Sequence, residues 1–154
     1  MNPIASVGNM VSTAREQLFP QDAPVCGIVR LIGVALGVNL NSAADTPVAL
    51  ILLPGANFLI HAVDVNNAST SITTAAASVW SGAAGTGVNI VTTGVTNLNS
   101  LTAATKNLPM TLAATAQTTV LNQTTQANVL YFKVDTAQGG AATADVYIWG
   151  RVLT

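Results

Sequence analysis

The stretch Ala144-Asp145-Val146-Tyr147-Ile148-Trp149-Gly150-Arg151-Val152-Leu153 alternates without a break. Ala144, Val146, Ile148, Gly150 and Val152 make one row, small and apolar, while Asp145, Tyr147, Trp149, Arg151 and Leu153 make the other, large and amphipathic. A period of two belongs to a strand with one face in a core. The small row is expected to face that core, and the large row suits contact with another molecule.

Working outward, the same kind of signal recurs. Residues 129–135 form a strand pattern, joined to the last strand by residues 136–143 with Gly139-Gly140 inside. Residues 26–40 are rich in Val, Ile and Leu, and Gly33 and Gly37 within them suggest bulges or bends. Residues 41–45 read as a turn, and residues 46–53 as an apolar strand. Pro54-Gly55 fits the centre of a type II turn, because Gly accepts the positive φ required there. Residues 58–65 read as a strand whose faces are Phe58, Ile60, Ala62, Asp64 and Leu59, His61, Val63, Val65.

Residues 69–80 are ambiguous between a short helix capped by Ser71 or Thr73 and a loop, since Ser and Thr weaken helices. Residues 82–87 read as a flexible connection and residues 88–93 as a strand. A short helical turn is expected around residues 98–105. Two short strands, 108–113 and 118–121, flank an expected hairpin turn at 114–117. The sum is all-β: a single β-sandwich or jelly roll of about eight antiparallel strands.

Residues 1–24 differ from this pattern. They carry Pro3, Pro20, Pro24 and the pair Arg15-Glu16, and residues 11–18 allow two turns of helix. The apolar side chains Ile4, Val7, Leu18 and Phe19 make no strong stripe. The segment is read as an extended N-terminal arm that docks on a neighbour, ahead of a β-sandwich domain at 25–154.

Composition narrows the function. Only 7% of the 154 residues are charged, against about 25% in ordinary soluble domains. The polar surface must come from neutral side chains, with Thr occurring 20 times and Asn 13. Five Lys and Arg cannot neutralise a row of phosphates, so no nucleic-acid partner is expected. No apolar run is long and unbroken enough for a spanning helix, so no membrane partner is expected. A net charge of −1 gives little repulsion between molecules. Such a chain is expected to hide surface in an assembly.

The chemistry-bearing residues are sparse. One His and one Cys argue against a zinc site, and no metal or other cofactor is expected. Cys26, beside an apolar strand, reads as a small buried hydrophobe, and His61 as a structural histidine. His61 and Asp64 stand three apart on a strand, which would put them on opposite faces and break any triad. Asp135 and Asp145 could meet across the last hairpin as a carboxylate pair, though turn-capping roles suit them better. Residues 82–87 lack the Lys-Ser/Thr ending of a phosphate loop. No catalytic residue is assigned, and the chain is expected not to be an enzyme.

Two stretches carry a resemblance: Ile60-His61-Ala62-Val63-Asp64-Val65-Asn66-Asn67-Ala68-Ser69-Thr70-Ser71-Ile72-Thr73-Thr74-Ala75, and the segment from Leu130 through Thr136-Ala137-Gln138-Gly139 and Ala142-Thr143-Ala144-Asp145-Val146 to Gly150. Together they resemble small structural proteins of tailed bacteriophages and prophages, over roughly residues 58–154. The resemblance implies a capsid decoration (cement) or head-associated protein, with a β-sandwich or jelly-roll fold and a homotrimeric state. It implies the major capsid protein and further copies of this chain as partners, and the outer surface of the virion as its place. Ile4, Val7, Leu18, Phe19, Tyr147, Trp149 and Arg151 are the expected interface residues. The other readings are a head fibre, tail or baseplate component, and a host-surface carbohydrate-binding module.

Overall fold

The computed structural model describes residues 27–92, 98–102, 107–123 and 129–153. Nine strands follow in order: β1 (Val29–Asn39), β2 (Asp45–Leu50), β3 (Asn57–Asn66), β4 (Ala76–Gly82), β5 (Thr86–Val91), β6 (Asn107–Pro109), β7 (Leu121–Asn122), β8 (Val129–Thr136) and β9 (Thr143–Val152). A single 3-10 turn, Ala83–Gly85, links β4 to β5. All pairings are antiparallel, and the spatial order is β5-β4-β8-β2-β1-β9-β3-β6, with β7 beside β3.

That order is a jelly roll. One four-stranded sheet is β1-β9-β3-β6 and the other is β2-β8-β4-β5. β1 and β2 meet only at Gly33↔Leu50 and Val34↔Ala49, where the roll turns its corner. Gly33 has no room to spare there, since an added Cβ would lie 3.3 Å from the side chains of Val48 and Leu50. The far edges also approach each other. Leu112, just past β6, bridges Val91, and the Ala113 N–H donates to the Ile90 carbonyl at 2.9 Å.

Alternation builds the core as the sequence leads one to expect. Ala144, Val146, Ile148 and Val152 are buried on β9, as are Leu130, Phe132 and Val134 on β8. All of these except Val152 pack with Ile32, Val48, Phe58, Val63 and Ile90 in one cluster between the sheets. Burying a Phe or Ile side chain contributes about 1.5–3 kcal/mol, so these rows hold the sheets together.

Four local expectations are corrected. In β3 the register shifts between Ile60 and Ala62, so His61 is the extra residue of a bulge. The bulge switches the alternation: Phe58, Ile60, Val63 and Val65 all point inward, while exposed His61 and half-buried Asp64 both lie outside the core. They are therefore not on opposite faces.

Residues 76–80, in the stretch read as helix or loop, are part of strand β4. Ala76, Ala77, Ser78 and Val79 are buried where the strand runs between β5 and β8. Burial between two strands overrides the weak helical preference of an alanine run. The segments around 108–113 and 118–121 are not a hairpin either: β6 pairs with the end of β3 and β7 with its start. Likewise β8 and β9 do not pair with each other but lie in different sheets, so Asp135 and Asp145 are not cross-strand neighbours.

Other readings hold. Both bulges of β1 fall next to its glycines, with register shifts between Leu31 and Gly33 and between Ala35 and Val38. At Pro54-Gly55 the Ala56 N–H donates to the Leu53 carbonyl at 3.1 Å and Gly55 has φ +82, as a type II turn requires. A fifth correction concerns 82–87, expected as a flexible connection: it is a pinned turn, where the Ala84 N–H donates to Asp45 Oδ2 and a Cβ added at Gly85 would meet Lys133 and Trp80. The expected arm and Cys26 lie outside the described residues; of the helical turn expected at 98–105, residues 98–101 form a turn in which the Leu101 N–H donates to the Leu98 carbonyl at 3.0 Å, and residues 103–105 lie outside the described residues.

Candidate functional site

The roll has two ends of different character. At one, the crown, the links 40–44, 67–75 and 137–142 come together beside residues 98–101. Gln138 is their centre. Its Oε1 accepts the N–H groups of Thr73, Thr74 and Ala75 at 3.1, 3.2 and 3.2 Å, and its Nε2 donates to Thr73 Oγ1 at 3.0 Å. The Gln138 N–H donates to the Leu40 carbonyl at 2.9 Å, and Ile72 N–H reaches the Leu101 carbonyl at 2.9 Å.

Asp145 is the second fixed point of the crown. Its carboxylate accepts the Gly37 N–H at 2.8 Å and Asn67 Nδ2 at 2.9 Å. Both donors belong to residues in left-handed backbone, with φ +62 at Gly37 and +52 at Asn67. Ser69 and Thr143 exchange two hydrogen bonds, at 2.9 and 3.0 Å. Many of the crown's polar groups thus pair with one another, while Asn66 Oδ1 and Asp135 Oδ2 are buried there without a hydrogen-bond partner among the described residues.

At the opposite end, the base, the chain enters at Gly27, whose N–H pairs with the Val152 carbonyl. The start of β1, the end of β9, the start of β3, β7 and residues 51–56 meet here, through Val29↔Arg151, Arg151↔Leu59 and Phe58↔Leu121. The Ile51 N–H donates to the Ile32 carbonyl at 2.7 Å. Six large apolar residues are exposed among the described residues, and five of them are at the base: Ile28, Val29, Ile51, Leu53 and Val120, at 38–58% exposure. The sixth, Leu36, sits by the β1 bulge at the crown.

Charge divides the same way. The four described acids, Asp45, Asp64, Asp135 and Asp145, stand in the crown-side halves of their strands, as does Lys133, which pairs with Asp135 at 3.5 Å. Both described arginines, Arg30 and Arg151, are at the base, with no acidic residue in the base segments 27–31, 51–61, 114–123 or 149–153. Arg30 opposes Gly150 on the inward row, and its Nε is buried with no hydrogen-bond partner among the described residues. A buried donor without an acceptor is costly and calls for an explanation.

A cleft of about 320 Å³ opens beside this rim, lined by Leu59, Ile60, His61, Gln117 and Arg151. The β3 bulge is what turns His61 toward it. A guanidinium, an imidazole and an amide against two apolar side chains suit a carboxylate carried on an apolar chain. Among the described residues no group of three His, Cys, Asp or Glu side chains converges as metal ligands would.

Of the interface residues expected from sequence, Tyr147, Trp149 and Arg151 lie on the outer face of β9. Tyr147 stands between Val34 and Asp64, Trp149 between Leu31 and Ala62, and Arg151 between Val29 and Leu59. Tyr147 and Trp149 are half-buried and Arg151 is exposed. Ile4, Val7, Leu18 and Phe19 lie outside the described residues. Sequence reasoning missed Ile28, Ile51, Leu53 and Val120 as surface groups. One signal was present: the run Leu50-Ile51-Leu52-Leu53 continues apolar into a Pro-Gly turn, where polar residues are the rule.

No protein-family model matches the chain, and neither a curated protein nor a solved structure matches it.

Proposed function

We propose that this chain is a non-enzymatic virion structural protein of the capsid decoration (cement) type, which associates with copies of itself and bridges neighbouring major capsid subunits on the outer shell. The observation that carries this reading is the base: an apolar, acid-free, cationic rim on a chain with only 7% charged residues. An exposed apolar patch on a soluble fold marks a contact surface. Jelly rolls serve capsids, lectins and enzymes alike, so the fold does not choose among them.

Two features add support. The two stretches that carry the resemblance lock together at the crown through Gln138, Ser69 and Thr143, which is what a pattern kept for the scaffold would do. Bridging also needs no reactive group: weak contacts repeated over a lattice gain avidity, and binding only the assembled shell stabilises it by mass action.

The test is to add purified protein to shells that lack it and to arrays of surface glycans. Decoration predicts saturable binding to the shell at a copy number set by its lattice, and a rise in the temperature at which the shells burst. Binding to glycans with none to shells overturns the reading in favour of a receptor-binding module.

A further inference from the structure

The cleft at Arg151 and His61 lies against a stretch of strand edge that has no neighbour among the described residues. We infer that it binds an extended peptide segment bearing a carboxylate, which adds to the edge of β3 at Ile60 and sets its acidic group against Arg151 and His61. Only the source of that segment, a shell subunit, rests on the decoration reading above.

The edge is open between two short strands. On the side of β3 away from β9, β6 pairs with Asp64, Val65 and Asn66, and β7 with Asn57 and Phe58. The Val63 carbonyl accepts the Met110 N–H there at 2.8 Å. Between these contacts, residues 59–62 have β9 as their strand partner and none on the other side among the described residues. Those four residues span about 13 Å at the usual strand rise. The chain linking β6 to β7 turns on itself: the Ala116 N–H donates to the Ala113 carbonyl, and the Thr119 N–H to the Thr115 carbonyl, both at 2.9 Å. Gln117, in this turn, forms another wall of the cleft.

The main chain of Ile60 faces the gap. The Asn57 carbonyl accepts the Leu153 N–H from the β9 side, whereas the Ala56 carbonyl accepts the Gln123 N–H from the other. Alternation then directs positions 58 and 60 away from β9. The bulge at His61 resets the phase, so that Val63 also faces away from β9. Ile60 lines the cleft while its side chain is buried in the core, so its N–H and C=O are what it turns outward. A strand edge of this kind is a template for an added strand, and one residue of that strand exchanges two hydrogen bonds with Ile60.

Charge selects the side chain. Arg151 and His61 are both exposed on the lining, which holds no acid, and Asp64, the nearest acid on β3, is not part of it. A guanidinium takes a carboxylate through paired, charge-assisted hydrogen bonds. Arg30 lies on the inward row and takes no part. Main-chain pairing at Ile60 and a cation beside it together describe an acidic, extended peptide.

The full chain, isotope-labelled, is titrated with the end-capped peptide Thr-Val-Glu-Val-Thr while its amide resonances are followed, a method that registers millimolar binding. Saturable shifts at Ile60, His61 and Gln117 are expected. Replacing the peptide's Glu by Gln, or introducing Arg151→Gln in the protein, should weaken binding about tenfold. Should Arg151→Gln fail to fold, His61→Ala gives the same readout. Methylating the amide nitrogens of one alternate set of peptide residues should abolish binding while the other set tolerates it, because an added strand turns only one set to β3. Equal binding of the Gln peptide overturns the role of the carboxylate. Equal binding of pentanoate makes the cleft a site for a free acid and overturns the peptide. Absence of shifts in the wild type overturns the inference as well; shifts that then appear in Glu16→Gln/Asp22→Asn would assign the cleft to the chain's own acids. None of these readouts uses shells. Peptide binding by a chain that ignores shells keeps this inference and loses decoration, and the reverse result keeps decoration and loses this inference.

Discussion

The crown and the base are built from the same strands, yet one is laced by side-chain hydrogen bonds and the other exposes apolar side chains. At the crown a single amide, Gln138, serves three backbone N–H groups, and one carboxylate, Asp145, holds two left-handed residues in place. At the base a guanidinium nitrogen is buried without an acceptor among the described residues, and five apolar side chains face solvent. Buried polar groups are ordinarily paired and large apolar patches ordinarily covered. Buried atoms without a partner among the described residues occur at both ends, Asn66 Oδ1 and Asp135 Oδ2 toward the crown and Arg30 Nε at the base, so the exposed apolar side chains are what set the base apart.

The contrast can be broken or sharpened by substitution. The largest effect belongs to the inner row just inside the base. A Cβ at Gly150 would lie 2.6 Å from the Leu59 carbonyl oxygen and would meet Ile32 Cδ1. Gly150→Ala is expected to cost about 3 kcal/mol of folding stability by overpacking, read by denaturant unfolding. A cost near zero would mean the two sheets are not packed as described.

Next comes the crown. Gln138→Ala removes the acceptor of three backbone donors, and a loss of about 2 kcal/mol is expected. Asp145→Asn keeps the size and weakens two hydrogen bonds at a partly exposed site; the expected loss is about 1 kcal/mol. Neither change should alter self-association once unfolding is corrected for. If Gln138→Ala abolished association without loss of stability, the crown rather than the base would be the contact surface.

The smallest effects on stability are expected at the base rim. Leu53→Ser and Val120→Ser alter exposed side chains, so folding should shift by no more than about 0.5 kcal/mol. Deleting residues 1–20 should likewise leave the unfolding transition of the roll in place while weakening association. A collapse of the transition on deletion would make that segment part of the core.

Much of this fold was legible because period-two rows survive in β8 and β9, because Gly55 and Gly37 mark positive-φ backbone that few other residues accept, and because Gly33 marks a place with no room for a side chain. What was not legible has physical causes. The bulge at His61 adds one residue and inverts the phase of β3 beyond it, and no side chain in Leu59-Ile60-His61-Ala62 announces the shift. Strand β4 hides behind Ala75-Ala76-Ala77, whose small side chains favour no face until Ala76 and Ala77 pair with β8.

Pairing between distant strands is likewise not a local property. Adjacent strand signals at 129–135 and 144–153 suggest a hairpin, whereas the jelly roll sends them to different sheets. The same limit applies to the base. Its outer β9 residues, Trp149 and Arg151, could be read from alternation. Ile28, Ile51 and Val120 came to the same end of the roll only when β1, β2, β3 and β7 converged there.

The claim that the base is the contact surface is tested most directly by one comparison. Full-length wild type and the triple variant Ile51→Ser/Leu53→Ser/Val120→Ser are followed by sedimentation, with thermal unfolding measured alongside. The account predicts matching unfolding curves with association lost in the triple variant. Matching curves with association intact would contradict it.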